Sequence, residues 1–355
     1  MKRLNIPRLA FAFAGFFLGA GYVSGQELYQ FFGSFGGKGL VGFFIGLALL
    51  FVYGISILRL AQLTGSDMSD ELFVKKNIPV LRAAATVLQL VLLFGACVIM
   101  TAGVGALVNQ LFGLPQFVGC ALFALLVASI ALFGLQGVIS VFSLSVPLLC
   151  GAVVLFFLLL DFRGELKPIV PAVGEEKNVL LSHWLLSAVN FPSYCCFGSV
   201  AIIAPMAGLV RDRRTTFLGA ILGTVLLILL GLCVLFSVYS MPDSLHTELP
   251  MLTLAMSLHP ALGWLYAFLL LCAMFGAALS SLVAIITDLT PRVSFIRNHR
   301  TPSVFLLCIV MFVTGLAGFG DLIGIIYPAY GYLGFAFMVM LVWHYVSVLR
   351  EKRRV

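Results

Sequence analysis

The sequence predicts an all-α polytopic membrane protein, with ten transmembrane helices in a 5+5 inverted repeat and helices 1 and 6 broken. Three observations carry that expectation. Of 355 residues, 62% are hydrophobic and only 10% charged, whereas a water-facing globule carries about 25% charge; the mean hydropathy is +1.14. The apolar residues fall in long uncharged runs, and roughly 20 such residues cross about 30 Å of hydrocarbon. The basic residues gather on alternate connections between those runs. Barrel strands are shorter and alternate in character, so a barrel is excluded.

In order, the spans read as 8–32, 38–61, 79–112, 116–135, 138–160, 178–209, 215–239, 259–289, 303–320 and 322–348. The first follows Lys2 and Arg3 and has the outline of a secretory signal. It is instead rich in glycine, runs past any small-residue cleavage site and leads into another span. The largest outside loop, 162–177, holds Pro168 and Pro171. A second, 240–250, precedes a short apolar stretch, 251–258, that reads as interfacial or re-entrant. No connection is long enough for a soluble catalytic domain, so residues 1–355 read as one transmembrane domain.

An even span count puts both termini on one side. That side carries Lys2, Arg3, Arg8, Arg59, Lys75, Lys76, Arg82, Arg211, Arg213, Arg214, Arg292, Arg297, Arg300, Arg350, Lys352, Arg353 and Arg354. The other carries Lys38, Arg163, Lys167 and Lys177, a division of 17 against 4. Basic excess marks the cytoplasmic face, so the termini are expected there and the net charge of +7 points to anionic lipid rather than nucleic acid. No partner protein can be named.

The eight cysteines (Cys97, Cys120, Cys150, Cys195, Cys196, Cys233, Cys272 and Cys308) all lie in apolar runs, without CxxC pairs or nearby histidines. They read as small core residues, with no disulfide framework and no transition-metal site. Walker, HExxH and GxSxG patterns are missing from the sequence. An enzyme is therefore not expected, nor a cofactor.

Two spans look interrupted. Span 1 carries Gly15, Gly19, Gly21 and Gly25, each costing a helix about 1 kcal/mol relative to alanine. Span 6 carries Asn190-Phe191-Pro192-Ser193-Tyr194-Cys195-Cys196-Phe197-Gly198. There Pro192 removes a backbone bond. These spans open two five-span halves, 8–160 and 178–348, and an odd count inverts the second half. Interrupted segments at matching positions point to a transporter's binding site.

This layout resembles the LeuT-like fold of the amino acid–polyamine–organocation superfamily. Gly21-Tyr22-Val23-Ser24-Gly25-Gln26-Glu27, followed by Phe31-Phe32-Gly33, resembles the bacterial YkvI-like membrane proteins. The resemblance implies a bacterial cytoplasmic membrane and secondary transport. It also implies a sodium site built from the carbonyls of Gly15, Leu18 and Ala277 with the hydroxyls of Ser280 and Ser281. Oxygen ligands suit a hard cation, although paired serines also back-bond to their own helix. A second sodium site found in some relatives is not expected, because Tyr22 and Pro192 stand at its ligand positions.

The resemblance places the substrate between the breaks. The N–H groups of Gly21 and Tyr22 would open the outer half of span 1 and hold a carboxylate. Ala20, Asn190, Ser193, Tyr194 and Phe197 would line the pocket, closed by Met100 and Thr101. Glu27 is the one carboxylate well inside a span. It reads in three ways: a proton-coupling acid, an outer gate bonded to Tyr327 or Tyr330, or a solvated vestibule group. The expected function is a secondary active transporter of a small polar solute, an amino acid or related carboxylate. Sodium is preferred to protons as the coupling ion. The alternative is a nutrient-sensing receptor or channel-like subunit on the same fold.

Overall fold

Uncharged apolar runs fold as helices because a bilayer offers no partner for a free backbone N–H or carbonyl. The computed structural model describes residues 5–65, 69–73, 78–133, 138–169, 178–210 and 212–352. Its helices are α1 (Ile6–Phe17), α2 (Ala20–Ser24), α3 (Gln26–Phe31), α4 (Gly37–Thr64), α5 (Ser69–Phe73), α6 (Pro79–Phe112), α7 (Gln116–Phe133) and α8 (Val138–Phe162). They continue with α9 (Trp184–Met206), α10 (Arg213–Ser240), α11 (Pro250–Leu258), α12 (Pro260–Leu289), α13 (Ser294–Asn298), α14 (Arg300–Gly315) and α15 (Phe319–Lys352). No strand occurs among the described residues. Lys2, Arg3, Lys75, Lys76, Pro171, Lys177, Arg211, Arg353 and Arg354, used above for sidedness and loops, lie outside them.

Helices α4, α6, α10, α12 and α15 are each long and apolar enough to cross a membrane. Phe11, Leu122, Leu125, Phe268, Leu306 and Ile309 are exposed on the outside of the assembly, a surface suited to acyl chains rather than water. The helices pack in two groups. In one, α4 lies along α9 and α1 along α10; in the other, α6 lies against α12, α7 and α14. Helix α8 joins the groups through α10 and α12, and α15 joins them through α4, α9 and α6.

Span 1 is broken twice. Helix α1 ends where Leu18 donates to the Ala14 carbonyl at 3.0 Å, and the ladder resumes with Val23 N–H to Gly19 at 3.2 Å. Between them Gly19 is extended. Gly25 then takes the left-handed conformation, φ +87°, and separates α2 from α3. A Cβ at Gly25 would also stand 2.8 Å from Val238 Cγ2, so glycine is required there for both conformation and space.

Span 6 departs from expectation: α9 runs as one helix from Trp184 to Met206, through the anticipated break. Pro192 forfeits a single backbone bond, that to the Ala188 carbonyl. Gly46 of α4 packs closely over that carbonyl, where a Cβ would approach to 3.1 Å. The Ser193 hydroxyl donates to Val189 at 2.8 Å and the Asn190 amide to Pro328 at 2.9 Å. Both bonds are compatible with a helix, so neither side chain competes for its backbone.

Two further elements sharpen the reading. Residues 250–258 form α11, whose Met251, Leu252, Leu254 and Ala255 are buried. It packs on α12, α10 and α2, so it is a plug over the broken span rather than a surface helix. Pro328, inside α15, leaves the Gly324 carbonyl without its helical donor. The Asn178 amide supplies one at 2.7 Å.

Candidate functional site

Glu27 sits in the first turn of α3, just past the left-handed Gly25. It is 4% exposed. The chain reversal turns its side chain back across α2, so that a Cβ on Gly21 would stand 2.5 Å from Glu27 Oε2. The absence of a side chain at Gly21 is what admits the carboxylate. The hydroxyl of Tyr194, on α9, donates to Glu27 Oε1. The Tyr194 ring lies flat on Tyr327 of α15, with centroids 4.5 Å apart and planes 10° apart. Phe31 and Phe191 pack against the same ring at 5.5 and 5.7 Å. Three elements, α3, α9 and α15, therefore meet at one carboxylate with aromatic walls. Among the described residues no lysine or arginine pairs with it. A bare anion is costly in such a place, and it is tolerated only when it carries a proton or receives a cation.

The broken backbone around Glu27 is held by hydroxyls. Tyr22 donates to Leu227 on α10 at 2.6 Å, Tyr266 on α12 donates to Val23 at 2.5 Å, and Ser187 on α9 donates to Phe31 at 2.5 Å. Ser24 donates to Gly21 at 2.9 Å, and Tyr239 donates to Gly33. The carbonyls of Gly21, Val23, Phe31 and Gly33, in the interrupted span, find partners in this way, as buried backbone requires, while the Tyr22 bond ties the break to α10.

Of the residues expected to line a pocket, Gly21 and Tyr194 meet Glu27, and Ala20 is buried beside them in α2. The Tyr22 side chain points instead toward α10, where a Cβ on Gly231 would stand 2.4 Å from its hydroxyl. Asn190 lies against Gly331 and bonds Pro328, and Ser193 bonds its own helix. Phe197 stacks on Phe73 of α5 at 5.0 Å and meets Phe337 at 5.4 Å, away from the carboxylate. Met100 is buried in α6. Thr101 bonds Cys97 at 2.9 Å and faces Gly315 of α14, so it belongs to the contact between α6 and α14. The anticipated partner of Glu27 is also corrected: it is Tyr194, while Tyr330 donates to Val91 at 2.7 Å. Burial removes the solvated reading of Glu27.

The residues expected to ligate sodium divide. Helix α1 closes at Leu18 and Gly19 beyond it is extended, so the carbonyls of Gly15 and Leu18 lie at a helix end, where acceptors for a cation occur. On α12, Ala277 and Ser281 are half-buried and Ser280 is exposed. The Ser280 hydroxyl donates back to Gly276 at 2.6 Å. Helix α1 packs on α10 and α9, whereas the α12 contact of span 1 comes from α2. In this conformation the two halves of the set are not drawn together.

Sequence reasoning passed over the polar run around Glu27. Gln26, Tyr29 and Gln30 line a cavity beside α3. Three such residues in an otherwise apolar span were a readable signal.

A polytopic helical assembly around a broken first span defines a multi-pass helical membrane protein. Mhp1 in its inward-facing conformation is similar in structure, with a TM-score of 0.63 and 13% identity over 95% of this chain and 76% of that chain. In sequence, the chain is similar to two Bacillus subtilis proteins. YkvI, described as an uncharacterized membrane protein, is 24% identical over 343 residues, covering 94% of each chain. YyaD, described as an uncharacterized protein, is 25% identical over 331 residues, covering 92% of this chain and 93% of its own. No model of a known protein family matches the chain.

Proposed function

We propose that this chain is a secondary active transporter that carries a small polar solute by alternating access, with Glu27 as its coupling acid. The observation that carries the reading is the buried Glu27 carboxylate at the break of span 1, bonded by Tyr194. A carboxylate at membrane depth that can be protonated, and that bonds a second, separate helix, is suited to linking ion and solute movement.

The packing supports an inverted repeat of five spans, 8–160 and 178–348. The contact of α4 with α9 is answered by α10 with α1, that of α15 with α6 by α8 with α12, and that of α15 with α4 by α8 with α10.

Protons are the coupling ion this arrangement favours. Sodium is the second reading, carried by the end of α1 at Gly15 and Leu18 with Ala277, Ser280 and Ser281. The test is uptake by proteoliposomes under an imposed H⁺ or Na⁺ gradient. Concentrative uptake driven by either supports a carrier and names its ion. Binding without any counterflow contradicts transport.

A further inference from the structure

Between the first half of α9 and α15 runs a groove of about 530 Å³, within the roughly 300–1,000 Å³ of small-molecule sites. Its walls are apolar: Leu185, Leu186 and Val189 from α9, Tyr332 and Phe335 from α15. Leu185, Leu186, Tyr332 and Phe335 are each at least 40% exposed, so the groove opens on the outside of the assembly, the surface suited to acyl chains. No lysine, arginine, aspartate or glutamate is among the described lining residues, so a charged headgroup has no partner there.

The floor holds one polar group. Asn190 is 3% exposed, and its amide nitrogen donates to the Pro328 carbonyl at 2.9 Å. A carbonyl only accepts, so this bond fixes which end of the amide is nitrogen. The oxygen, Oδ1, is left against Gly331, where a Cβ would stand 2.0 Å from it; glycine there keeps a side chain from covering it. Oδ1 finds no hydrogen-bond partner among the described residues. An amide oxygen cannot donate, so what is missing is a donor.

Depth decides where that donor comes from. Trp184 opens α9, and tryptophan marks the level of the headgroups. Asn190 comes six residues later, about 9 Å further along the helix. A buried acceptor left unmet is costly, and hydrocarbon supplies nothing to meet it. A molecule dissolved in the bilayer does so if it lays an apolar body along the walls and brings one O–H to the floor.

We propose that this groove is a binding site for a lipid alcohol, with its chain along the apolar walls and its hydroxyl donated to Asn190 Oδ1. Asn190 and Gly331 meet one turn from the stack of Tyr194 on Tyr327, on the same two helices. An occupant bridging α9 and α15 there strengthens the contact that closes on Glu27, and so regulates exchange. The site stands on the groove's own geometry; only this regulatory consequence rests on the transport reading.

The experiment is thermal unfolding of the full chain in phosphatidylcholine nanodiscs, whose lipid carries no O–H or N–H donor. The probes are tetradecanol and its methyl ether, which has the same chain without the donor. The alcohol should raise the melting temperature saturably, and the ether should bind about tenfold more weakly. Leu186→Trp, on the exposed wall, fills the groove and should abolish the effect of the alcohol. Asn190→Leu should bring alcohol and ether to the same affinity. Equal shifts by the two probes in the parent, or an alcohol effect unchanged in Leu186→Trp, overturns the proposal. Counterflow in proteoliposomes separates the two readings. A saturable alcohol effect lost in Leu186→Trp, in a chain without counterflow, keeps the site and removes transport. Counterflow in a chain that does not distinguish alcohol from ether keeps transport and removes the site.

Discussion

The hydroxyl of Tyr194, on α9, donates to the carboxylate of Glu27, on α3. This bond joins the first helices of the two proposed repeats at a single ionisable group. A hydrogen bond to a charged partner is worth about 1.5–3 kcal/mol. Tyr194→Phe keeps the stack on Tyr327 and removes the bond. Solute exchange should fall by roughly tenfold or more, with the protein still folded by circular dichroism. Exchange equal to that of the parent would show that the bond is not used.

Gly21 and Gly19 make a matched pair. A Cβ at Gly21 would stand 2.5 Å from Glu27 Oε2, while one at Gly19 meets nothing within 4 Å. Gly21→Ala should displace the carboxylate at about 1–3 kcal/mol and abolish transport. Gly19→Ala should leave both stability and transport close to the parent. If the two variants behave alike, Gly21 is not the seat of Glu27.

Asn178 bonds the Gly324 carbonyl that Pro328 leaves without a donor. Asn178→Ala should cost about 1–3 kcal/mol, the penalty of an unsatisfied buried acceptor, read as a lower melting temperature. Pro328→Ala restores the helical N–H, so the double variant should recover most of the loss. An additive double variant would disprove the compensation.

Ser280→Ala with Ser281→Ala tests the sodium reading. If sodium is held by these hydroxyls, Na⁺ dependence of uptake disappears while binding of the solute persists. Because Ser280 already bonds Gly276 and faces outward, the proton account expects gradient-driven uptake within about twofold of the parent, since surface substitutions shift free energy by roughly 0.5 kcal/mol or less. Loss of uptake with an unchanged H⁺ response would favour sodium.

The helical membrane fold was legible because its signal is long and redundant: uncharged runs the length of a bilayer, and basic residues on alternate connections. The break at Gly19 and Gly25 was legible because glycines cluster there. The unbroken α9 was not, because Pro192 removes one bond whether or not the helix then opens, and the packing of α4 along α9 is not written in local sequence. The role of Tyr194 lay half in view: it was expected near the substrate, yet its bond to Glu27 depends on a left-handed turn at Gly25. Thr101 and Phe197 were misplaced because helix rotation, set by packing on α14 and α5, is not written in local sequence.

The central claim is that Glu27 couples proton movement to solute movement. The measurement is uptake into proteoliposomes across a pH series, with and without an imposed pH gradient, for the parent and for Glu27→Gln. The account predicts concentrative uptake that follows the gradient in the parent. In Glu27→Gln it predicts a chain that folds but no longer responds to the gradient. Substantial uptake by Glu27→Gln with the proton dependence of the parent would contradict it.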